Sequence, residues 1–286
     1  MDITANLVKQ LRDKTNCGFM DCKKALQETD GDLEAAVDHL RQKGIAVATK
    51  RGERATSEGA IWEHLSPDGK TGVILEVNCE SDFVAKTDSF QAFGAALAAQ
   101  IAAQAPDGLE ALLAQPWQED PSRTVQEYLT ELIGQIGENI RLRHFIRFAG
   151  GGPVAGYIHF GGKIGVLLEL TAGSNSAELQ TLAKDLAMQV AATNPLAVGR
   201  EGVDQDVVAR EKAIYEAQAK ESGKPENIIE RMVSGRLEKF FKEICLVEQP
   251  FVKNTDITVA QLLKEAGKAS GGELGVARFA RYQVGA

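Results

Sequence analysis

The fold is constrained most strongly by a sequence repeat. Residues 72–77 (GVILEV) recur as residues 165–170 (GVLLEL), and residues 97–103 (LAAQIAA) recur as residues 186–192 (LAMQVAA). The repeated apolar run is typical of a buried strand, and the repeated alanine-rich run is typical of a helix. We therefore predict two copies of one α+β unit, each made of a β-hairpin followed by helices.

The spacing of the repeat isolates a short segment of the first copy. Gly165 follows Gly72 by 93 positions, whereas Gln189 follows Gln100 by only 89. The first copy therefore holds four more residues between its strand and its helix, and we assign this surplus to residues 81–87. If the second copy completes its fold without such residues, folding does not require them, and they become candidates for function.

The N-terminal residues predict a compact bundle of three amphipathic helices. Thr4, Asp21 and Asp32 each precede an apolar periodic segment and are expected to cap the three helices. Gly44 is expected to end the third helix, because glycine is the usual residue after a helix C-terminus.

The domain boundaries follow from these patterns. Residues 50–54 predict a charged linker that ends an N-terminal domain of residues 1–54. The repeat then places the first half of a core at residues 55–150 and the second half at residues 151–286. Two helices joined by a short turn predict an antiparallel helical hairpin, inserted into the second half at about residues 203–241. The predicted fold class is α+β: a three-helix bundle, then a duplicated α+β core.

The bulk composition disfavours several functional classes. The 286 residues carry a formal net charge of −8, so direct binding of nucleic acid, which needs a basic face, is not expected. No run approaches the roughly 20 apolar residues of a membrane span, and the N-terminus has no secretory signal. Four scattered cysteines are too few for a disulfide framework. We expect a cytoplasmic protein that does not bind membranes.

Signatures of catalysis are missing from the sequence. It has no phosphate-binding glycine loop, nucleophile elbow or zinc-protease motif, so no catalytic residue, cofactor or metal is predicted. Cys79 is a candidate nucleophile, because it precedes a possible helix start, where the pKa of a thiol is lowered. Glu80 and Asp82 beside it disfavour a thiolate, and a small buried strand-end residue is the plainer interpretation.

The surplus segment allows two interpretations. Ser81 and Asp82 are common helix caps, and Phe83 could pack inward beside them. However, Asp88 or Ser89 can cap the main helix, so an additional turn before it would push Asp82 and Phe83 outward. An acid beside an exposed aromatic ring suits insertion into a pocket of a partner protein.

Two sequence strings resemble signatures of the elongation factor Ts family in its bacterial and organellar form. One lies within residues 11–26 and includes GFMDCKKAL, and the other, EVNCESDFVA, occupies residues 76–85. The resemblance extends over essentially the whole chain. It implies a guanine-nucleotide exchange factor whose partner is the GTPase elongation factor Tu, and it implies no enzymatic chemistry.

The resemblance also implies which residues contact the partner. The N-terminal bundle is similar to a ubiquitin-associated domain that docks on the GTPase, with Met20 and Lys23 at the contact. Asp82 and Phe83 match residues that wedge between two helices of the partner, near the magnesium ion of its nucleotide. The other matches are His159 as a second wedge beside the phosphate-binding loop, Ile136 and Gly137 as a supporting surface, and Val252 as a contact in the second half.

The chain departs from the family pattern next to three of these contact residues. Ser81 replaces the usual threonine but keeps a capping hydroxyl, and one extra residue follows His159. Lys253 stands where an apolar contact residue is common.

Two other functions stay open at this level. One is a general protein-interaction scaffold that uses the ubiquitin-associated-like bundle for another partner. The other is a thiol enzyme centred on Cys79.

Overall fold

The computed structural model describes residues 3–15, 17–172, 174–221 and 223–286. The protein has the predicted α+β class, with helices and two three-stranded antiparallel sheets. Within the described ranges, no helix has both the length and the apolar composition needed to cross a membrane.

The chain begins with three helices packed around a small apolar core. They are α1 (Ala5–Thr15), α2 (Phe19–Glu28) and α3 (Leu33–Arg51). Two predicted caps are confirmed. The Thr4 hydroxyl accepts a hydrogen bond from the Leu7 N–H at 3.3 Å, and the Asp32 carboxylate accepts one from the Glu34 N–H at 2.9 Å.

Two other predicted features of this bundle are wrong. Asp21 does not cap α2 but lies inside its first turn. Gly44 does not end α3, which continues beyond it and includes part of the predicted linker. Gly44 is buried because α3 packs there on α7 (Val125–Ile136). A Cβ added to Gly134 of α7 would lie only 2.6 Å from the Gly44 Cα. Gly44 therefore allows two helices to approach each other closely and does not mark the end of a helix.

The first half of the core contains a three-stranded antiparallel sheet. Its strands are β1 (Glu58–Leu65), β2 (Gly72–Cys79) and β5 (Ile140–Phe148), with β2 in the middle. Between β2 and β5 lie α4 (Asp82–Ala85), α5 (Asp88–Gln104), α6 (Gly108–Ala114), β3 (Pro116–Trp117), β4 (Asp120–Thr124) and α7. The cap of α5 is neither Asp88 nor Ser89, because the Thr87 hydroxyl accepts from the Phe90 N–H at 3.4 Å.

The second half contains the second three-stranded sheet. Its strands are β6 (Val154–His159), β7 (Ile164–Leu170) and β10 (Val276–Gln283), with β7 in the middle. Between β7 and β10 lie α8 (Ala177–Thr193), α9 (Gln205–Lys220), α10 (Glu226–Ile244), β8 (Pro250–Phe251), β9 (Asn254–Thr258) and α11 (Val259–Ser270). Helices α9 and α10 contact each other and have no equivalent in the first half.

Equivalent side chains make equivalent contacts in the two halves. The Gln100 amide in α5 donates to the Pro116 carbonyl at 3.0 Å, and the Gln189 amide in α8 donates to the Pro250 carbonyl at 3.2 Å. Helices α7 and α11 each begin with a capping box and end at a glycine in a left-handed conformation. The halves therefore share a packing plan as well as short sequence strings.

The two sheets pack against each other, and helices cover their outer faces. Successive strand residues point to opposite sides of a sheet. Leu75 of β2 therefore packs with the helical layer, whereas its neighbour Ile74 packs between the sheets, in one apolar cluster with Leu167 of β7. The two central strands thus form the middle of the molecule.

Candidate protein-binding site

The surplus segment of the first half forms a single exposed helical turn, α4. Ser81 caps this turn, since its hydroxyl accepts a hydrogen bond from the Val84 N–H at 3.4 Å. Val84 and Ala85 are buried beneath the turn, whereas the Phe83 side chain is 79% exposed. The Phe83 ring therefore points away from the core of its own chain, as the outward interpretation predicted.

Asp82 is held beside Phe83 by a lysine one turn later. The Lys86 ammonium donates a hydrogen bond to the Asp82 carboxylate at 2.7 Å. This hydrogen bond is the main cause that lowers the pKa of Asp82, and the positive charge of Lys163 adds to it. At neutral pH the turn therefore presents an ionised carboxylate next to an exposed aromatic ring.

The tip of the β6–β7 hairpin lies at the same end of the core as α4. The Lys163 ammonium in this tip donates to the Glu58 carboxylate at 2.5 Å and to the Gly59 carbonyl at 3.3 Å. Glu58 and Gly59 begin β1, beside the end of β2, and α4 also contacts β1. The fold thus brings together two predicted contact segments that are far apart in the sequence.

His159 is partly exposed, and its ring is held within this tip. Its Nδ1 lies 2.8 Å from the Tyr157 hydroxyl, and its ring centroid lies 4.1 Å from that of Phe160. Phe160 is 74% exposed and has a φ of +49°, a left-handed value that is uncommon for residues other than glycine. His159 was predicted from the sequence to contact the partner, whereas Phe160 was not. A phenylalanine followed by two glycines in a hairpin turn is the signal that could have identified it.

The end of α7 adjoins α4. Ile136 is partly buried against the core of the first half, and Gly137 ends the helix with a φ of +80°. The next residue, Glu138, accepts two hydrogen bonds from Ser81. The residues next to the predicted supporting surface and next to the predicted wedge are therefore hydrogen-bonded to each other.

The predicted contacts of the N-terminal bundle are exposed on α2. Met20 is 70% exposed, and Lys23 is also exposed. Phe19, which was not predicted as a contact from the sequence, is 47% exposed beside Met20. A cavity of about 300 Å³ lies between the bundle and α7, beside the contact of Gly44 with Gly134, and is also lined by Asp21 and Ile136. The start of α2 thus faces the end of α7.

Val252 belongs to a different part of the molecule, the turn between β8 and β9. Its side chain is 42% exposed, and its N–H donates to Gln189 of α8 at 2.7 Å. The neighbouring Lys253 forms an ion pair with Asp185 of α8 at 2.7 Å. The lysine found in place of an apolar residue therefore has a partner within the second half.

Cys79 is fully buried at the end of β2. Its thiol donates to the Ser81 carbonyl at 3.1 Å, and burial is the main cause that raises the pKa of this thiol to about 12. The thiol is therefore protonated at neutral pH, which counts against a nucleophilic role. In the part of the chain that the structure describes, no group of three or more His, Cys, Asp or Glu residues could hold a metal ion.

The sequence over this region also matches a known protein family. The family model described as Elongation factor TS matches residues 80–286, more than half of the chain, and its match begins at the residue before Ser81. This chain belongs to the elongation factor Ts family. Membership places it among the factors of translation elongation in protein biosynthesis.

Curated relatives extend the match to the N-terminal bundle. Elongation factor Ts of Clostridium novyi (strain NT) is 48% identical over 284 residues, which cover 99% of this chain and 93% of the relative. Elongation factor Ts of Trichlorobacter lovleyi is 47% identical over 290 residues, which cover 100% of this chain and 93% of the relative. The resemblance indicated by two short strings is therefore confirmed along the whole chain.

Proposed function

We propose that this elongation factor Ts family member is a guanine-nucleotide exchange factor for the GTPase elongation factor Tu. It accelerates GDP release during translation elongation in the cytoplasm. One observation carries the proposal: Phe83 is 79% exposed on a turn that is anchored to the core by buried neighbours. A fixed, exposed aromatic ring beside an ionised acid is the type of side chain that contributes most to binding a protein partner.

The turn is suited to act as a wedge because it is ordered before binding. Val84 and Ala85 are buried beneath it and Ser81 caps it. Little conformational freedom remains to be lost when Phe83 enters a pocket, so more of the contact energy is available to separate elements of the partner.

The mechanism follows from the chemistry of the partner's nucleotide site. Mg²⁺ requires near-ideal octahedral geometry, and it bridges the phosphates to protein and water ligands. We propose that Asp82 and Phe83 displace these ligands, while His159 acts beside the phosphate-binding loop. Because allosteric coupling is reciprocal, bound nucleotide must weaken the binding of the factor to the same degree.

The other parts of the chain have docking roles in this proposal. The domain of residues 1–54 is a ubiquitin-associated-like module that binds the GTPase through Met20 and Lys23 of α2. Residues 55–150 and 151–286 are the two halves of the core, with an antiparallel helical hairpin at about residues 203–241. The exposed positions of Met20 and Lys23 support the docking role. The end of α7 and Val252 add supporting contacts.

The test is the release of a fluorescent GDP analogue from elongation factor Tu in a stopped-flow instrument. The double variant Asp82→Ala with Phe83→Ala should lower the maximal release rate on the order of 10- to 100-fold, the range expected for the loss of a central aromatic contact. The matched control is Leu196→Ala, which removes a side chain that is 60% exposed on the second half. Unchanged acceleration by the double variant would contradict the wedge.

A general interaction scaffold is the alternative that this experiment separates. Phe19 and Met20 are exposed side by side on α2 and suit a docking role with any partner. If the wild-type chain binds another protein and leaves GDP release unchanged, the scaffold is the correct function.

A further inference from the structure

We infer that Glu138 is a positioning residue for nucleotide exchange, because it fixes the turn that carries Phe83. This inference rests on the proposed function. The Glu138 carboxylate accepts a hydrogen bond from the Ser81 N–H at 2.9 Å through Oε2 and another from the Ser81 hydroxyl at 2.7 Å through Oε1. One carboxylate therefore binds both donors of the residue that caps α4.

A second carboxylate joins the same two segments, this time from the α4 side. Glu80, the residue before Ser81, accepts a hydrogen bond from the N–H of Asn139 at 2.7 Å. The Arg54 guanidinium also donates to Glu80, at 3.1 Å. Two adjacent residues at the start of α4 are thus joined to two adjacent residues after α7, with a carboxylate supplied by each side. We call these four residues, Glu80, Ser81, Glu138 and Asn139, the carboxylate clamp.

The clamp sets the direction of the Phe83 ring through the Ser81 hydroxyl. This hydroxyl donates to Glu138 and accepts from the Val84 N–H, so the carboxylate fixes the orientation of the cap. A helix of four residues is not stable by itself, and its geometry must come from tertiary contacts at its start and from the burial of Val84. The ring of Phe83 extends from this turn on the exposed side.

The second half of the core supplies an internal comparison. Gly137 and Gly271 end the equivalent helices α7 and α11 in the same left-handed conformation, and the residue after Gly271 is Gly272. A glycine therefore occupies the place of Glu138. Among the described residues, the link between β7 and α8 contains no helical turn, and β10 still pairs with β7 as β5 pairs with β2. The Glu138 carboxylate is thus present in the half that contains the α4 turn, and a glycine replaces it in the half without such a turn.

A neutral alternative is that Glu138 only stabilises the fold. In that case its removal would lower stability and weaken every activity of the chain together. A positioning role predicts a selective effect on the maximal rate of GDP release, because docking through α2 and the second half does not use the clamp.

The experiment measures GDP release from elongation factor Tu over a range of factor concentrations for Glu138→Ala and Glu138→Gln. The glutamine has the same shape but replaces one acceptor oxygen by a donor, so it preserves packing and breaks one hydrogen bond of the clamp. We expect the maximal release rate to fall about 10-fold for Glu138→Ala, with less than a threefold change in the half-saturating concentration. The matched control is Glu273→Ala, which removes an exposed carboxylate after α11 and should change neither value.

Hydrogen exchange of the Ser81 and Val84 amides is measured in the same variants without the partner. Faster exchange at both amides, with the rest of the first half protected, is expected for the alanine variant. Wild-type release rates in Glu138→Ala would overturn the inference, as would a fall in maximal rate matched by an equally large rise in half-saturating concentration. If the wild-type factor itself does not accelerate release, the proposed function fails, and unchanged amide exchange in both variants would overturn the clamp independently.

Discussion

At the scale of single residues, Cys79 and Phe83 lie four positions apart and have opposite environments. Cys79 is fully buried, whereas Phe83 is 79% exposed. The same short stretch thus ends a core strand and begins a surface feature. Burial decides the chemistry of Cys79, because a thiolate is poorly solvated in the core and the pKa of the thiol rises to about 12.

This pKa predicts a dependence of stability on pH. Below the ordinary thiol pKa of about 9, Cys79 is protonated in both the folded and the unfolded chain, and its burial stabilises the fold fully. As pH rises from about 9 to 12, the unfolded chain loses this proton more readily, so the free energy of unfolding should fall. Urea unfolding at pH 8, 9 and 10 should therefore show a smaller decline for Cys79→Ala than for the wild type. Identical declines, or rapid alkylation of Cys79 in the folded protein at pH 8, would contradict this assignment.

At the scale of secondary-structure elements, the contact between α3 and α7 shows how a local signal can mislead. Glycine is common just after a helix, so Gly44 was expected to end α3. In the structure, Gly44 and Gly134 instead allow two helix backbones to approach closely. This contact joins the N-terminal bundle to the first half of the core.

Gly134→Ala is predicted to disturb this contact. The new Cβ would lie 2.6 Å from the Gly44 Cα, so the helices must separate. Overpacking of this kind costs about 1–3 kcal/mol, partly offset by about 1 kcal/mol from the higher helix propensity of alanine. Hydrogen exchange in α3 should become faster while exchange in β2 stays slow.

Gly235→Ala in α10 is the matched control for this prediction. No atom lies within 4 Å of a Cβ at this position, so the substitution should stabilise the protein by about 0.5–1 kcal/mol. Stabilisation of similar size by Gly134→Ala would show that the two helices do not touch as described.

At the scale of the whole molecule, the two halves depend on each other through their central strands. Gly72 of β2 and Gly165 of β7 hold the same place in the repeat, and each leaves room for side chains of the opposite sheet. A Cβ on Gly165 would lie 2.4 Å from Ile61 Cγ2, and one on Gly72 would lie 2.6 Å from Val154 Cγ1. The repeated glycine is therefore part of the packing between the halves.

Gly165→Ala is accordingly predicted to destabilise the entire core. The expected loss in the free energy of unfolding is about 1–3 kcal/mol, and probes in both halves should report the same transition in urea. Gly272→Ala, where an added Cβ meets no atom within 4 Å, should change the midpoint little. Unfolding of the second half alone would contradict the joint core.

The sequence by itself determined the features that depend on neighbours along the chain. The strand runs, the Asp32 cap, the repeat and the surplus turn before α5 were all predicted, because periodicity, capping residues and spacing are local properties. The family was also recognised from two short strings. The position of the Thr87 cap and the continuation of α3 past Gly44 were not predicted, because each depends on which of several competing local signals the surrounding packing favours.

Only the tertiary structure decided which distant residues meet. It placed the His159 and Phe160 tip beside the turn of Asp82 and Phe83, and it brought Glu138 to Ser81 across the end of the first sheet. Such contacts join segments that are far apart in the sequence, so no local periodicity or motif predicts them. The first contact arises because the two sheets pack face to face. The second arises because antiparallel pairing sets Cys79 at the end of β2 opposite Ile140 at the start of β5.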